Sequence, residues 1–188
     1  MKDFIAAARM LAWMTLLCGG IYTLAVTAAC QTAFKDKADG SLVVRGGTVV
    51  GSALIGQQFS SDRYFWGRPS AVGYNPQPSG GSNLGPISAA LKQAVDKNRA
   101  ALEKADPGQG EPPQDLLFAS GSGLDPDISP EAALYQVARV AKARGFDAAR
   151  SAELLALVRS SVQGPDWGVF GQPRVNVLKL NLALDALR

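Results

Sequence analysis

The sequence predicts an α+β extracytoplasmic domain anchored by a single N-terminal transmembrane helix. Three observations carry that expectation. From Met10 to Phe34 there is no charged residue, and a helix of that length measures about 37 Å against a bilayer hydrocarbon core of about 30 Å. The stretch Leu42 to Phe59 then alternates β-branched residues with glycine, the composition of short strands and their turns. Beyond it, several segments place apolar residues at helical spacing. The chain therefore divides into a cytoplasmic tail (1–9), a transmembrane helix (10–33), a stalk (34–41) and the α+β domain (42–188).

The apolar segment has three possible fates: a retained anchor, a cleaved signal peptide, or a lipoprotein signal lipidated at Cys30 in TAAC. The apolar region of a signal peptide is about 7 to 15 residues long, so the greater length here favours retention. The lipoprotein reading is opposed by Thr27, which stands where a branched aliphatic residue is usual. Thr15, Gly19, Thr23 and Thr27 recur every four residues and form a stripe of small side chains that would let a second membrane helix approach closely. Charge does not set the orientation, because Lys2 and Arg9 on one side balance Lys35 and Lys37 on the other. The short tail and signal-like start place the N-terminus in the cytoplasm and the domain outside it.

Composition excludes several classes of function. The net charge is +3 with no run of four Lys or Arg, which gives no sign of nucleic-acid binding. The chain has no histidine, so it lacks the usual general base, metal ligand and pH switch together. Both cysteines, Cys18 and Cys30, precede the domain, which can then hold neither a disulfide nor a thiolate metal cluster. No catalytic and no metal residues are expected.

Within the domain, Leu42 to Phe59 reads as a hairpin turning at Arg45, Gly46 and Gly47, its second strand running from Thr48 to Gln58. Tyr64 to Pro86 has no periodicity. It reads as an ordered loop held down by Tyr64, Phe65, Trp66 and Tyr74, because long aperiodic stretches in compact domains are functional or disordered and aromatics argue against disorder. Ile87 to Lys104 is an amphipathic helix with Ile87, Leu91, Ala94, Val95 and Leu102 near one face, stopped by Asp106, Pro107 and Gly108. Asp115 to Ser120, DLLFAS, reads as a short buried strand whose length does not separate it from a helical turn. A helix from Asp147 to Ser161 turns Leu154, Leu155 and Val158 inward. The tail from Arg174 reads as a short strand passing into a helix through Leu180, Leu184 and Leu187, with a strand throughout as the alternative.

Residues 120 to 145, SGSGLDPDISPEAALYQVARVAKARG, join a Gly/Ser loop to a helix. Ser129 is a preferred N-cap, Pro130 suits the first helical position and Glu131 complements the positive helix end. Ala133, Leu134, Val137 and Ala141 should be buried, with Arg139, Lys142 and Arg144 complementing the helix C-terminus and Gly145 capping it. The upstream loop carries no Walker A string, and Pro126 occupies the third glycine position of a dinucleotide fingerprint. Ser120 and Ser122 lie outside any GxSxG elbow and have no histidine to serve as base.

The N-terminal membrane helix, GRPSAVGYNPQPSGGSNLGP, ASGSGLDPDISPEAALYQVARVAKARG and GQPRVNVLKLNLALDAL follow one another, and together they resemble the KdpC subunit of the bacterial Kdp potassium-uptake ATPase. The likeness covers nearly the whole chain. One departure is Asp127, where family members often carry histidine. The resemblance implies a non-catalytic subunit in the bacterial inner membrane that stabilises the assembly of a channel-like subunit and a P-type ATPase subunit. It implies a part in the use of ATP as a catalytic chaperone, with ATP and potassium handled by the complex and no cofactor of its own. The chain has no DKTG string, so it is not the phosphorylated pump. The partner-contact loops are then expected at Trp66, Arg68, Asn75, Ser79, Ser82 and Asn83, and at Ser120, Ser122, Asp125 and Asp127. Asp125 and Asp127 read as turn formers beside Pro126, with local enrichment of potassium as the alternative. Two rival functions are a membrane-anchored hydrolase using Ser120 or Ser122, and a lipoprotein or secreted binding module that loses the residues before Cys30.

Overall fold

The computed structural model describes residues 1 to 187, which divide into a unit from Met1 to Val50 and a second unit from Gly51 onward. In the first, helix α1 (Lys2–Ala33) is long and apolar enough to cross a membrane. It begins at Lys2, because nothing between Lys2 and Arg9 breaks a helix. Its middle, Thr15–Tyr22, is π-helical. The wide turns coincide with the Gly19-Gly20 pair, and the Thr23 hydroxyl donates to both glycine carbonyls, satisfying groups that a loosened ladder frees.

A short helix α2 (Lys35–Ala38) precedes strands β1 (Leu42–Arg45) and β2 (Thr48–Ser52), which pair across Gly46 and Gly47 as expected. The second strand ends at Ser52, well short of Gln58. There the Ser52 hydroxyl accepts from Leu54 N and Gly56 N turns to Leu124 O at 2.7 Å, so the backbone groups that would extend a ladder are already engaged.

The second unit is mostly helical. Its elements are α3 (Ala89–Ala105), α4 (Gln114–Leu117), β3 (Asp127–Ile128), α5 (Pro130–Tyr135), α6 (Val137–Arg144), α7 (Ala148–Ser160), β4 (Val175–Asn176) and α8 (Val177–Leu184). Strands β3 and β4 pair antiparallel, Asp127 opposite Asn176 and Ile128 opposite Val175. Local capping sets most boundaries: Ser88, Ser129, Asp147 and Asn176 each accept a backbone N–H of the helix they precede.

Several expectations change. Ile87 is 99 % exposed, because α3 begins behind the Ser88 cap and leaves Ile87 in the preceding turn. DLLFAS is a helical turn followed by extended chain, with Leu116 and Leu117 buried. The expected single helix after Ser129 is interrupted at Gln136, where φ and ψ are −86° and −7°, and the face shifts. Tyr135, Val140 and Ala141 are buried while Leu134 is 40 % exposed. The tail is a short strand passing into a helix, as the leucine spacing suggests.

The core gathers Phe65, Leu102, Leu116, Leu117, Val140, Leu154, Val158, Leu180 and Leu184 from all these segments. It also encloses polar side chains, and they hold the aromatic segment in place. Asn181 accepts from Phe65 N at 2.8 Å and donates to Phe65 O at 3.0 Å. Gln136 does the same for Trp66, accepting from its N at 2.7 Å and donating to its O at 3.1 Å. Two amide side chains thus replace the partner strand that Phe65 and Trp66 lack, leaving these buried backbone groups satisfied.

Arg139 completes this frame. It is 4 % exposed, and its Nε lies 3.1 Å from the buried Asp106 carboxylate. Its other nitrogens donate to Asp62 O, Tyr64 O and Gln136 Oε1, and the guanidinium lies 4.0 Å from the Trp66 ring centroid. Burial pushes the Asp106 carboxyl up and the Arg139 guanidinium down, each opposed by the other's charge. Arg139 is therefore an internal tie and not the exposed complement to a helix end that its position suggests.

Candidate functional site

Two irregular loops, residues 66 to 85 and 120 to 127, pack against each other along their backbones. Ser120 N donates to Pro69 O at 3.0 Å, and Gly80 N donates to Ser122 O at 2.9 Å. Ser79 Oγ adds a second bond to Ser122 O. The Ser70 hydroxyl donates to Gly123 O at 2.7 Å while accepting from Tyr74 N at 2.9 Å, so one side chain closes its own turn and joins the two loops. Tyr74 OH donates to Arg68 O at 2.6 Å. Burial, and then the Asp125 charge, push the Tyr74 hydroxyl above its ordinary range.

Glycine permits this proximity. A Cβ at Gly123, whose φ is +69°, would lie 2.5 Å from Val72 Cγ2 and 2.8 Å from Gly80 O. A Cβ at Gly56 would collide with the Asp125 carbonyl, so the chain entering the domain passes directly beneath the second loop. Of the two glycines in SGSGLDPD, Gly123 is thus explained by its positive φ and its contact with the neighbouring loop, whereas a Cβ at Gly121 would meet nothing within 4 Å.

The ends of the loops are fixed by charge. Arg68 Nη1 lies 3.0 Å from Asp125 Oδ2, and Asp125 Oδ1 accepts from Asp127 N. Asp127 accepts from Asn176 Nδ2 at 3.0 Å and lies 3.6 Å from Arg174 Nε. Beside these groups is an open cleft of about 670 Å³ whose walls include Arg68, Asp115, Asp125, Asp127, Glu131 and Arg174. Among the described residues, no group of three or more potential metal ligands is gathered.

Burial pushes the Asp127 carboxyl above its ordinary 3.8; the Asn176 bond opposes the shift, Asp125 adds to it and Arg174 opposes it. A raised carboxylate pKa means that the folded chain binds more protons, so this contribution is fully present below 3.8 and is lost as pH rises through the folded value. Asp127→Asn is expected to remove that loss. The variant's stability relative to the parent should rise with pH just above 3.8 and then level off. A difference that is constant with pH, in urea titrations of both chains, would contradict this.

The expected contact residues fall into two sets. Asn75, Ser79, Ser82, Asn83 and Ser122 are exposed on the paired loops. Trp66, Arg68, Ser120, Asp125 and Asp127 are buried or half-buried and bond to partners within the domain. Asp127 is a strand residue and not merely a turn former. Ser120 is 2 % exposed, which counts against it as a nucleophile for an external substrate. Along α1, Thr15, Gly19, Thr23 and Thr27 are all exposed. Of the residues that hold the loops up, Asp106 was read as a helix stop and Arg139 as a helix-end cation, and Gln136 and Asn181 were not singled out by the sequence. One signal was available: Gln136, Arg139 and Val140 stand at i, i+3 and i+4, so two polar residues share the face of a buried one.

Comparison with known proteins accounts for the whole chain. Residues 4–186 match the family model KdpC, described as K+-transporting ATPase, c chain. Similar proteins include one from Variovorax paradoxus (strain S110), 54% identical over 191 residues that cover 99% of this chain and 97% of that protein. A protein from Dechloromonas aromatica (strain RCB) is 51% identical, covering 96% of this chain and 95% of its own length. Another from Rhodopseudomonas palustris (strain ATCC BAA-98 / CGA009) is 50% identical, covering 99% and 98%. Each bears the name Potassium-transporting ATPase KdpC subunit. With a family model spanning nearly all of its residues and relatives alike over their full length, the chain belongs to the KdpC family.

Proposed function

We propose that the chain is a non-catalytic subunit of an ATP-driven, high-affinity potassium importer of the bacterial inner membrane, stabilising the assembly of a channel-like subunit and a P-type ATPase subunit. Its N-terminus is cytoplasmic and its domain extracytoplasmic. The observation that carries this reading is the chain's likeness to the KdpC family over nearly its whole length, and the pair of interlocked loops supports the contact surface. They turn the exposed polar groups of Asn75, Ser79, Ser82, Asn83 and Ser122 into one fixed surface, and a preformed surface loses less ordering entropy on binding than free loops would. The Thr15, Gly19, Thr23 and Thr27 stripe of α1 provides the membrane contact.

ATP and potassium are handled by the other subunits. The chain's contribution to ATP use, in the manner of a catalytic chaperone, passes through the assembled complex and not through a cofactor of its own. The tagged chain, extracted in detergent from native membranes, is expected to bring with it a P-type ATPase and a large channel-like protein. Gly19→Leu or Thr23→Leu should lower that yield. Recovery of the tagged chain alone, or an unchanged yield from both variants, would sink the proposal.

A further inference from the structure

Residues 163 to 174 form an arm whose base meets the loops through Arg174 and Asp127 and whose tip the loop surface does not use. Gln163 and Arg174 exchange both backbone bonds at its base, and Asp166 and Phe170 do so nearer the tip. At the tip Trp167, Val169 and Phe170 are 92 %, 77 % and 62 % exposed. The Trp167 and Phe170 rings meet edge-on with centroids 5.9 Å apart, so the apolar knob is already formed. Between Asp166 and Arg174 there is no charged residue, and those two side chains pair at 3.1 Å, which neutralises the neck. An exposed aromatic cluster of this kind marks a site of contact with protein or membrane.

Two observations favour the membrane. Residues 34 to 50 lead from α1 to the second unit, a tether that spans at most about 60 Å when fully extended. The chain also enters the domain beside the root of the arm: Asn176 Nδ2 donates to Ala53 O at 2.9 Å, and the Cβ position of Gly51 is 3.1 Å from Leu178 Cδ2. Asn176 is two residues past Arg174 at the base of the arm. The second unit thus receives its incoming chain, at Gly51 to Ala53, beside the root of the arm. Tryptophan is enriched in the bilayer interface, where its ring is apolar and its N–H finds water or headgroups.

We propose that the 163 to 174 arm dips Trp167, Val169 and Phe170 into the interfacial layer of the bilayer that holds α1, giving the domain a second point of membrane contact. The neutral neck requires no anionic lipid, so insertion rests on the apolar tip.

The test uses the full chain in phospholipid nanodiscs, with Cys18→Ser and Cys30→Ser and a nitroxide on Val169→Cys. The control carries the label on Glu153→Cys, an exposed position of α7. Collisions of the 169 label with a water-soluble nickel chelate should be several-fold rarer than at 153, with collisions with oxygen favoured. Adding Trp167→Asp and Phe170→Asp should return the 169 label to nickel accessibility while leaving the 153 label unchanged, which verifies the fold. Equal nickel accessibility at 169 and 153 in the parent would overturn the proposal. So would shielding at 169 from both reagents that arises only when the transporter's other subunits are present, which would indicate a protein contact.

Discussion

Arg139→Met is expected to destabilise the domain by about 3 to 5 kcal/mol, the usual cost of removing one partner of a buried ion pair. Asp106 would be left buried without its 3.1 Å partner, while Asp62 O, Tyr64 O and Gln136 Oε1 would each lose a donor. The loss reaches the loops because Gln136 and Trp66 are held in the same network. Urea unfolding of the detergent-solubilised chain, followed by tryptophan emission, measures it. Trp66 is half-buried whereas Trp13 and Trp167 are exposed, so Trp66 reports the transition. Adding Asp106→Leu should restore much of the loss, since a buried pair replaced by apolar residues is often neutral. A cost under about 1 kcal/mol for Arg139→Met would show that the site is more hydrated than its burial implies.

The second large effect is expected from the smallest change. Gly123→Ala places a methyl group 2.5 Å from Val72 Cγ2 and 2.8 Å from Gly80 O, at a φ of +69°. A non-glycine residue in that region costs about 1 to 3 kcal/mol, and overpacking adds about as much again. The nearest obstacle can yield, but the Gly80 carbonyl is backbone and must carry its loop with it. The loops should therefore separate, with faster amide exchange at Gly80 and Ser120 and a reduced yield of the assembled transporter. Gly121→Ala is the internal control, because a Cβ there meets nothing within 4 Å. Equal behaviour of the two variants would mean that the loops are not held together by this approach.

The local features of this chain were legible because they depend on neighbouring residues. Ser129, Pro130 and Asp147 announce helix starts, Gly145 announces a stop, and the apolar run of α1 is plain from composition. What escaped the sequence depends on distant partners. Arg139 looks like a helix-end cation until Asp106, 33 residues away, is placed beside it. Asn181 sits in a leucine-rich helix because Phe65, 116 residues earlier, needs a hydrogen-bonding partner. The second strand stops early for the same kind of reason, since Gly56 N bonds to Leu124 O. The loop residues were found through their unusual composition, but which of them face outward is set by pairing between loops that spacing does not encode.

The paired loops are proposed as a contact surface within a potassium-transporting ATPase. Amide exchange of the full chain, alone in detergent and within the transporter purified from native membranes, tests it most directly. Assembly should slow exchange at the exposed Asn75, Ser79, Ser82, Asn83 and Ser122, while Phe65 and Trp66, already bonded to Asn181 and Gln136, change little. Unaltered exchange across both loops, with protection confined to other faces of the domain, would contradict it.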